Sequence, residues 1–170
     1  LCAALMLHIF QKYADRIRIA NLAQTINVLQ AILLTEGGKL IKTPTYHVFD
    51  LLQAHQDADF VPVSWKQSPE TLRHNLPHVD LSASVKEDCL TVSLVNLSAE
   101  RDAGVDLTLL SASPVSASGR LISGRPTAHN TFENPHQVET APLRGITLQD
   151  GLVHVSLPPC AIASIAVKLA

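Results

Sequence analysis

The chain has 170 residues, a formal net charge of −2 and no run of basic residues, so it carries no electrostatic footprint for nucleic acid or for an anionic membrane surface. Cys2, Cys89 and Cys160 are an odd number with no Cys-x-x-Cys pair, which excludes a disulfide framework and a thiolate zinc site. They read as reduced, mostly buried thiols of a cytoplasmic protein.

The length suits one ordinary domain, yet the two parts differ. Up to about Gln56 the only glycines are Gly37 and Gly38 and the pattern is largely helical, whereas the remainder reads as strands and turns. Such segregation predicts pieces of two domains. The first residue is Leu1 rather than Met and the apolar run begins at once, so the chain is expected to be a fragment of a longer polypeptide.

Leu1, Leu5 and Ile9 share one side of a helix and Cys2, Met6 and Phe10 the neighbouring stripe, which predicts a well-buried helix over 1–13. No basic segment precedes this run, and Gln11-Lys12-Tyr13 stands where small cleavage-site residues would follow a signal core. It is also too short to cross a bilayer. His8 interrupts the apolar surface, but no His, Cys or carboxylate stands at i+3 or i+4 to share a metal. A hydrogen-bonded histidine at a helix edge is the expectation.

Ile17 and Ile19 alternate with Arg16 and Arg18, the period of a strand over 16–20. That strand would deliver Asn21 and Gln24 just past its carboxyl end, where α/β folds keep their chemistry. A helical turn is expected near 24–29, a strand-like piece over 31–34, and a turn at Thr35-Glu-Gly-Gly38. After a short extended Leu40-Ile41, Thr43 suits a helix cap and Pro44 the first helical position. Val48, Leu51 and Leu52 then face inward until about His55.

Phe60 to Trp65 reads as extended, and Lys66 to His78 as a linker or surface loop. Pro77 stands between His74 and His78, which removes the helix that would make their spacing ligand-like. From Val79 onward alternation is plain: Val79, Leu81, Ala83 and Val85, then Leu90, Val92 and Leu94, with Lys86-Glu-Asp88 between them as a hairpin. Further strands follow at 105–109, 120–123, 146–148 and 153–157, the last two joined by Asp150-Gly151, and the chain closes with Ile165, Val167 and Leu169. Short antiparallel strands with one apolar face each predict a β-sandwich. Asn96-Leu-Ser98 is a glycosylation triplet of a kind common by chance, at a strand end.

Three blocks in this order resemble one family. Ile19-Ala-Asn-Leu-Ala-Gln-Thr-Ile-Asn-Val-Leu-Gln30, Thr43-Pro-Thr-Tyr-His-Val-Phe-Asp50 and His55-Gln-Asp-Ala58 resemble the end of the catalytic barrel in α-L-arabinofuranosidases of glycoside hydrolase family 51. The likeness is dense over 7–63, returns in Ala128-His-Asn-Thr-Phe-Glu-Asn-Pro135, and is looser in Leu157-Pro-Pro159 and the last strand. It implies a mixed fold: the terminal helix-strand-helix piece of a (β/α)8 barrel over 1–58, followed by an antiparallel β-sandwich over 59–170.

The resemblance implies release of terminal α-L-arabinofuranosyl residues from arabinan, arabinoxylan or their oligosaccharides, with no metal and no cofactor. By its place in the Asn-Leu-Ala-Gln motif, Gln24 resembles the family glutamine that hydrogen-bonds the sugar, and Asn21 its strand-end neighbour. An amide donates and accepts at once, matching hydroxyls without disturbing catalytic carboxylates; the plainer alternative is that both amides cap or satisfy local backbone. A retaining glycosidase needs two carboxyl groups about 5 Å apart, and no candidate pair is present. Asp57, Asp59, Glu87, Asp88, Glu100 and Asp102 read as solvated charges. The family's two glutamates follow its fourth and seventh barrel strands, so the chain alone is expected to be inactive. No serine or cysteine nucleophile and no phosphate-cradling loop is recognisable.

An independent sugar-binding or interaction module is the competing reading. Such modules offer a platform of aromatics, and after Trp65 only Phe132 remains, which counts against it. A sandwich that supports the barrel or builds subunit contacts is compatible with the enzyme, and the resemblance allows a homo-oligomer in the full-length protein.

Overall fold

The computed structural model describes residues 1–22 and 24–170. Helix α1 (Cys2–Lys12) opens the chain, followed by the hairpin β1 (Leu33–Glu36) and β2 (Lys39–Lys42), helix α2 (Pro44–Leu52) and a 3-10 turn at Gln53–His55. The strands are then β3 (Asp59–Phe60), β4 (Val79–Lys86), β5 (Cys89–Asn96), β6 (Ala103–Thr108), β7 (Pro114–Ile122), β8 (Ala141–Pro142), β9 (Ile146–Gln149), β10 (Leu152–Leu157) and β11 (Ile162–Leu169). Nine strands form a sandwich of two sheets, ordered β3-β4-β5-β11-β7-β8 and β6-β10-β9, with every ladder antiparallel. No helix among the described residues is long and apolar enough to cross a membrane.

Period-2 alternation builds the main core directly. Leu81 pairs with Leu94 and Ala83 with Val92, Ile165 faces Val92, and these side chains meet Val105, Val153, Val155 and Leu157 of the smaller sheet. Asp150 and Gly151 take φ of 53° and 74°, the left-handed pair that a two-residue hairpin between β9 and β10 requires. β7 is longer than the alternation near 120–123 indicates, because all its length pairs with β11.

The opposite face of the larger sheet is covered by a third layer. Ser82, Ser84 and Ser93 are buried there beneath α1 and the 3-10 turn, while Val95, Ile122 and Ile162 meet Ala4, Val48, Leu51 and Leu52 in a second apolar cluster. Thr43 Oγ1 accepts from Tyr46 N at 3.4 Å and Pro44 opens α2, the start its sequence predicts.

Two expectations for the first third are not met. Tyr13 to Arg16 form a turn and residues 17–22 have no regular structure, so the strand at 16–20 does not form: no parallel strand among the described residues stands beside it to take its N–H and C=O groups. The helical turn at 24–29 is replaced by an irregular loop, in which Asn27 and Gln30 adopt φ of 54° and 60°. Asn27 donates to Thr35 Oγ1 at 2.8 Å and accepts from Thr35 N at 2.7 Å, clamping the loop to β1 in place of a helix. The thiols also depart from expectation, since Cys2 is exposed and Cys89 and Cys160 only half-buried, all three free.

Candidate functional site

Asn21 and Gln24 sit on the exposed stretch between α1 and the hairpin; Ala23, inside the motif, lies outside the described residues. Asn21 lines a groove of about 620 Å³ together with Met6 and Phe10 of α1, Phe49 of α2, Ile122 at the end of β7 and Pro126 beyond it. Gln24 is exposed but is not among the residues of that groove, so the structure does not bring the two amides to one wall. Most of the lining is apolar, and Asn21 is one of its few polar residues.

The carboxylates picked out in the sequence are all exposed: Asp57, Asp59, Glu87, Asp88, Glu100 and Asp102. Asp88 pairs with Lys168 at 3.1 Å, an ordinary surface ion pair.

A polar constellation that the sequence does not announce lies between α1, the 3-10 turn and the larger sheet. His8, fully buried, places Nδ1 2.7 Å from Asp80 Oδ2 and Nε2 2.8 Å from Ser93 Oγ. Ser93 Oγ lies 2.9 Å from His55 Nε2, and His55 Nδ1 lies 2.7 Å from Ser84 Oγ. Lys12 donates to Asp80 Oδ1 at 3.0 Å. Because a carboxylate only accepts, His8 Nδ1 donates to Asp80, and the serine hydroxyls rotate to match the two rings.

Electrostatics follow from this packing. Burial, seconded by the neighbouring His8, pushes the His55 pKa down to about 4, so this ring is neutral near pH 7. For Asp80, burial is the largest influence and acts upward, but hydrogen bonds from His8 and Lys12 outweigh it and hold the carboxyl below its ordinary range. The chain Asp80–His8–Ser93 has the connectivity of a nucleophilic triad. Ser93 is 0% exposed and shared with His55, so no acyl substrate reaches its oxygen and the chain of bonds is structural. The signal available in the sequence was the alternation that sets Ser82 and Ser84 on the polar face of one strand and Ser93 on that of the next.

Asn130, in the block Ala128 to Pro135, is likewise structural: its Nδ2 donates to Lys42 O at 2.8 Å and Val138 O at 2.9 Å, and its Oδ1 accepts from Val138 N at 2.7 Å. Asn96 of the glycosylation triplet is fully buried and donates to Arg101 O and Pro158 O, which leaves no room for a glycan.

The described residues thus form a two-sheet antiparallel sandwich with a helical layer packed on its larger sheet. The family model for the Alpha-L-arabinofuranosidase C-terminal domain matches residues 1–161. The chain is similar to an intracellular exo-alpha-L-arabinofuranosidase of Bacteroides ovatus, 33% identical over 98% of this chain and 33% of that protein. It is also similar to an intracellular exo-alpha-(1->5)-L-arabinofuranosidase of Streptomyces lividans, 27% identical over 91% of this chain and 24% of that protein. The crystal structure of the GH51 arabinofuranosidase from Xanthomonas axonopodis pv. citri superposes with a TM-score of 0.91 at 32% identity, covering 98% of this chain and 34% of that one. The chain belongs to the α-L-arabinofuranosidase C-terminal domain family and corresponds to the C-terminal portion of a family 51 enzyme. It spans about a third or less of the length of these relatives.

Proposed function

We propose that this chain is the C-terminal part of a retaining exo-α-L-arabinofuranosidase that works inside the cell on arabinan, arabinoxylan or arabino-oligosaccharides. Residues 1–58 are the end of the catalytic barrel and 59–170 its sandwich. Gln24 hydrogen-bonds the arabinofuranosyl unit, with Asn21 as its neighbour in the motif, and the acid/base and nucleophile come from the barrel strands that precede. The observation that carries the reading is the match along 98% of the chain to the Xanthomonas arabinofuranosidase. Two features support it further. Gln24 is exposed, as an amide that meets a substrate must be, and the apolar groove beside Asn21, lined by Leu1, Met6 and Phe10, is the kind of surface that another barrel element would cover. The cytoplasmic setting is supported by relatives named intracellular.

The test uses the full-length protein encoded by the gene and an aryl α-L-arabinofuranoside. The full-length enzyme hydrolyses it with retention, the 170-residue chain does not, and Gln24→Ala in the full-length enzyme lowers kcat/KM by about 10²-fold, the size expected for a lost hydrogen bond to a charged or strained transition state. Unchanged kinetics in Gln24→Ala would return that residue to a local backbone role.

A further inference from the structure

The chain's single tryptophan does not stand alone on the surface. Trp65 lines a cleft of about 300 Å³ with Phe60, Pro62 and Val63 on one side, Lys12 at the end of α1, and Asp80 and Ser82 on β4. Trp65 and Phe60 are 40% and 37% exposed, so each offers ring surface to water while remaining anchored. Phe60 is held by its pairing with Ser84 and Val61 N donates to Ala83 O at 2.9 Å, which fixes the start of this segment against the sheet.

Apart from Leu81, the rest of the lining is polar. Lys12 Nζ and Asp80 Oδ1 are joined at 3.0 Å, with the Asp80 side chain 19% exposed and that of Lys12 41%. Ser82 is 1% exposed, and its Oγ has no hydrogen-bond partner among the described residues. A hydroxyl buried this deeply is out of a ligand's reach, so the polar contacts the cleft offers come from Asp80 and Lys12. Exposed aromatic surface together with a carboxylate and an ammonium is the combination that a neutral polyol with one apolar face requires: stacking for its C–H face and hydrogen bonds for its hydroxyls.

We infer that this cleft is a saccharide-binding site that takes a pentose unit of an arabinose-containing oligosaccharide, stacked on Trp65 and Phe60 and hydrogen-bonded by Asp80 and Lys12. It shares no lining residue with the groove at Asn21. The chemistry of the cleft defines a neutral sugar; the choice of a pentose rests on the reading proposed above. The scarcity of aromatics in the sequence argues against a broad platform but not against a two-ring cleft, which needs only the pair that β3 and the segment after it bring together.

Trp65 itself reports the binding. The 170-residue chain, its fold checked by far-UV circular dichroism, is titrated with a linear α-1,5-arabino-oligosaccharide while tryptophan emission is read. A saturable change is expected, with affinity reduced about tenfold or more in Phe60→Ala at unchanged circular dichroism; calorimetry on Trp65→Ala gives the same loss without relying on the reporter. In the full-length enzyme, Trp65→Ala reduces retention on insoluble arabinan while hydrolysis of an aryl arabinofuranoside stays within twofold. An absent response in the folded chain, or equal affinity in Phe60→Ala, overturns the site, and an equal response to a cello-oligosaccharide overturns the pentose assignment. If the full-length enzyme cleaves arabinofuranosides while these titrations stay flat, the cleft is refuted and the enzymatic reading stands.

Discussion

His8 and Asp80, 72 residues apart in the chain, meet at 2.7 Å between Nδ1 and Oδ2, and this contact joins the first helix to the larger sheet of the sandwich. The same imidazole reaches Ser93 on the next strand. One buried ring therefore ties α1 to two paired strands, whose Ser82 and Ser93 stand directly opposite each other. The layer of helices is fastened to the sheet by polar bonds at one end and by Val48, Leu51, Val95 and Ile162 at the other.

Removing that ring is costly. His8→Ala leaves Ser93 and Asp80 short of a partner and opens a cavity under α1, so a loss of about 3–5 kcal/mol in unfolding free energy is expected, as for large core truncations. Urea unfolding of both proteins measures it. A loss below about 1 kcal/mol would mean that the network is incidental to stability.

Acid should unfold the protein earlier than a typical domain of its kind. The His55 pKa is about 4 in the folded chain against an ordinary 6.5; below pH 6.5 the unfolded chain takes up a proton that the folded one refuses. Stability from this ring is thus fully present above 6.5 and lost as pH falls toward 4. The loss sums to roughly 3 kcal/mol. Asp80, held low by His8 and Lys12, acts in the same direction at still lower pH. Thermal melts from pH 7 to 4 should show a steady fall in Tm, and the part between 6.5 and 4 should shrink in His55→Gln once its own lower Tm is taken as reference.

The triad-like order Asp80–His8–Ser93 should have no chemistry. Ser93 is fully buried, so the folded chain should neither react with a fluorophosphonate serine reagent nor hydrolyse p-nitrophenyl acetate above background. Labelling at Ser93 in native buffer, located by peptide mass, would contradict the sealed geometry.

Close approach of backbones makes two glycines irreplaceable for a reason other than φ. A Cβ at Gly145 would stand 2.6 Å from Ser156 O, and one at Gly119 2.9 Å from Ser164 O. Gly145→Ala should cost about 1–3 kcal/mol through strand displacement, whereas Gly104→Ala, with nothing within 4 Å of its Cβ, should be near neutral. Comparing the two variants by Tm separates crowding from a general glycine effect.

Thr43 has two duties, accepting from Tyr46 N at 3.4 Å and donating to Ala31 O at 2.9 Å. Thr43→Ala should therefore lower stability by about 1–2 kcal/mol, and Thr43→Ser should restore most of it. Both are read from chemical denaturation of the intact chain.

The sandwich was legible in the sequence because period-2 alternation and the Asp150-Gly151 turn are local, and each strand carries its own evidence. The start of α2 at Thr43-Pro44 was legible for the same reason. Residues 16–20 had the alternation of a strand without becoming one, since a strand exists only through a neighbour, and alternation does not say whether that neighbour is there. The loop at 24–30 escaped because its shape depends on Asn27 reaching Thr35, a contact across a turn that no periodicity encodes.

For the polar strand faces, the amino-acid sequence determined that Ser82, Ser84 and Ser93 share one side. Whether that side meets water or protein was decided only when α1 and the 3-10 turn carried His8 and His55 onto it. A serine is small and both donates and accepts, so it is stable in solvent and equally stable beneath a histidine that completes its bonds, as Ser84 and Ser93 are here. The identity of the residue leaves the choice open, and tertiary packing makes it.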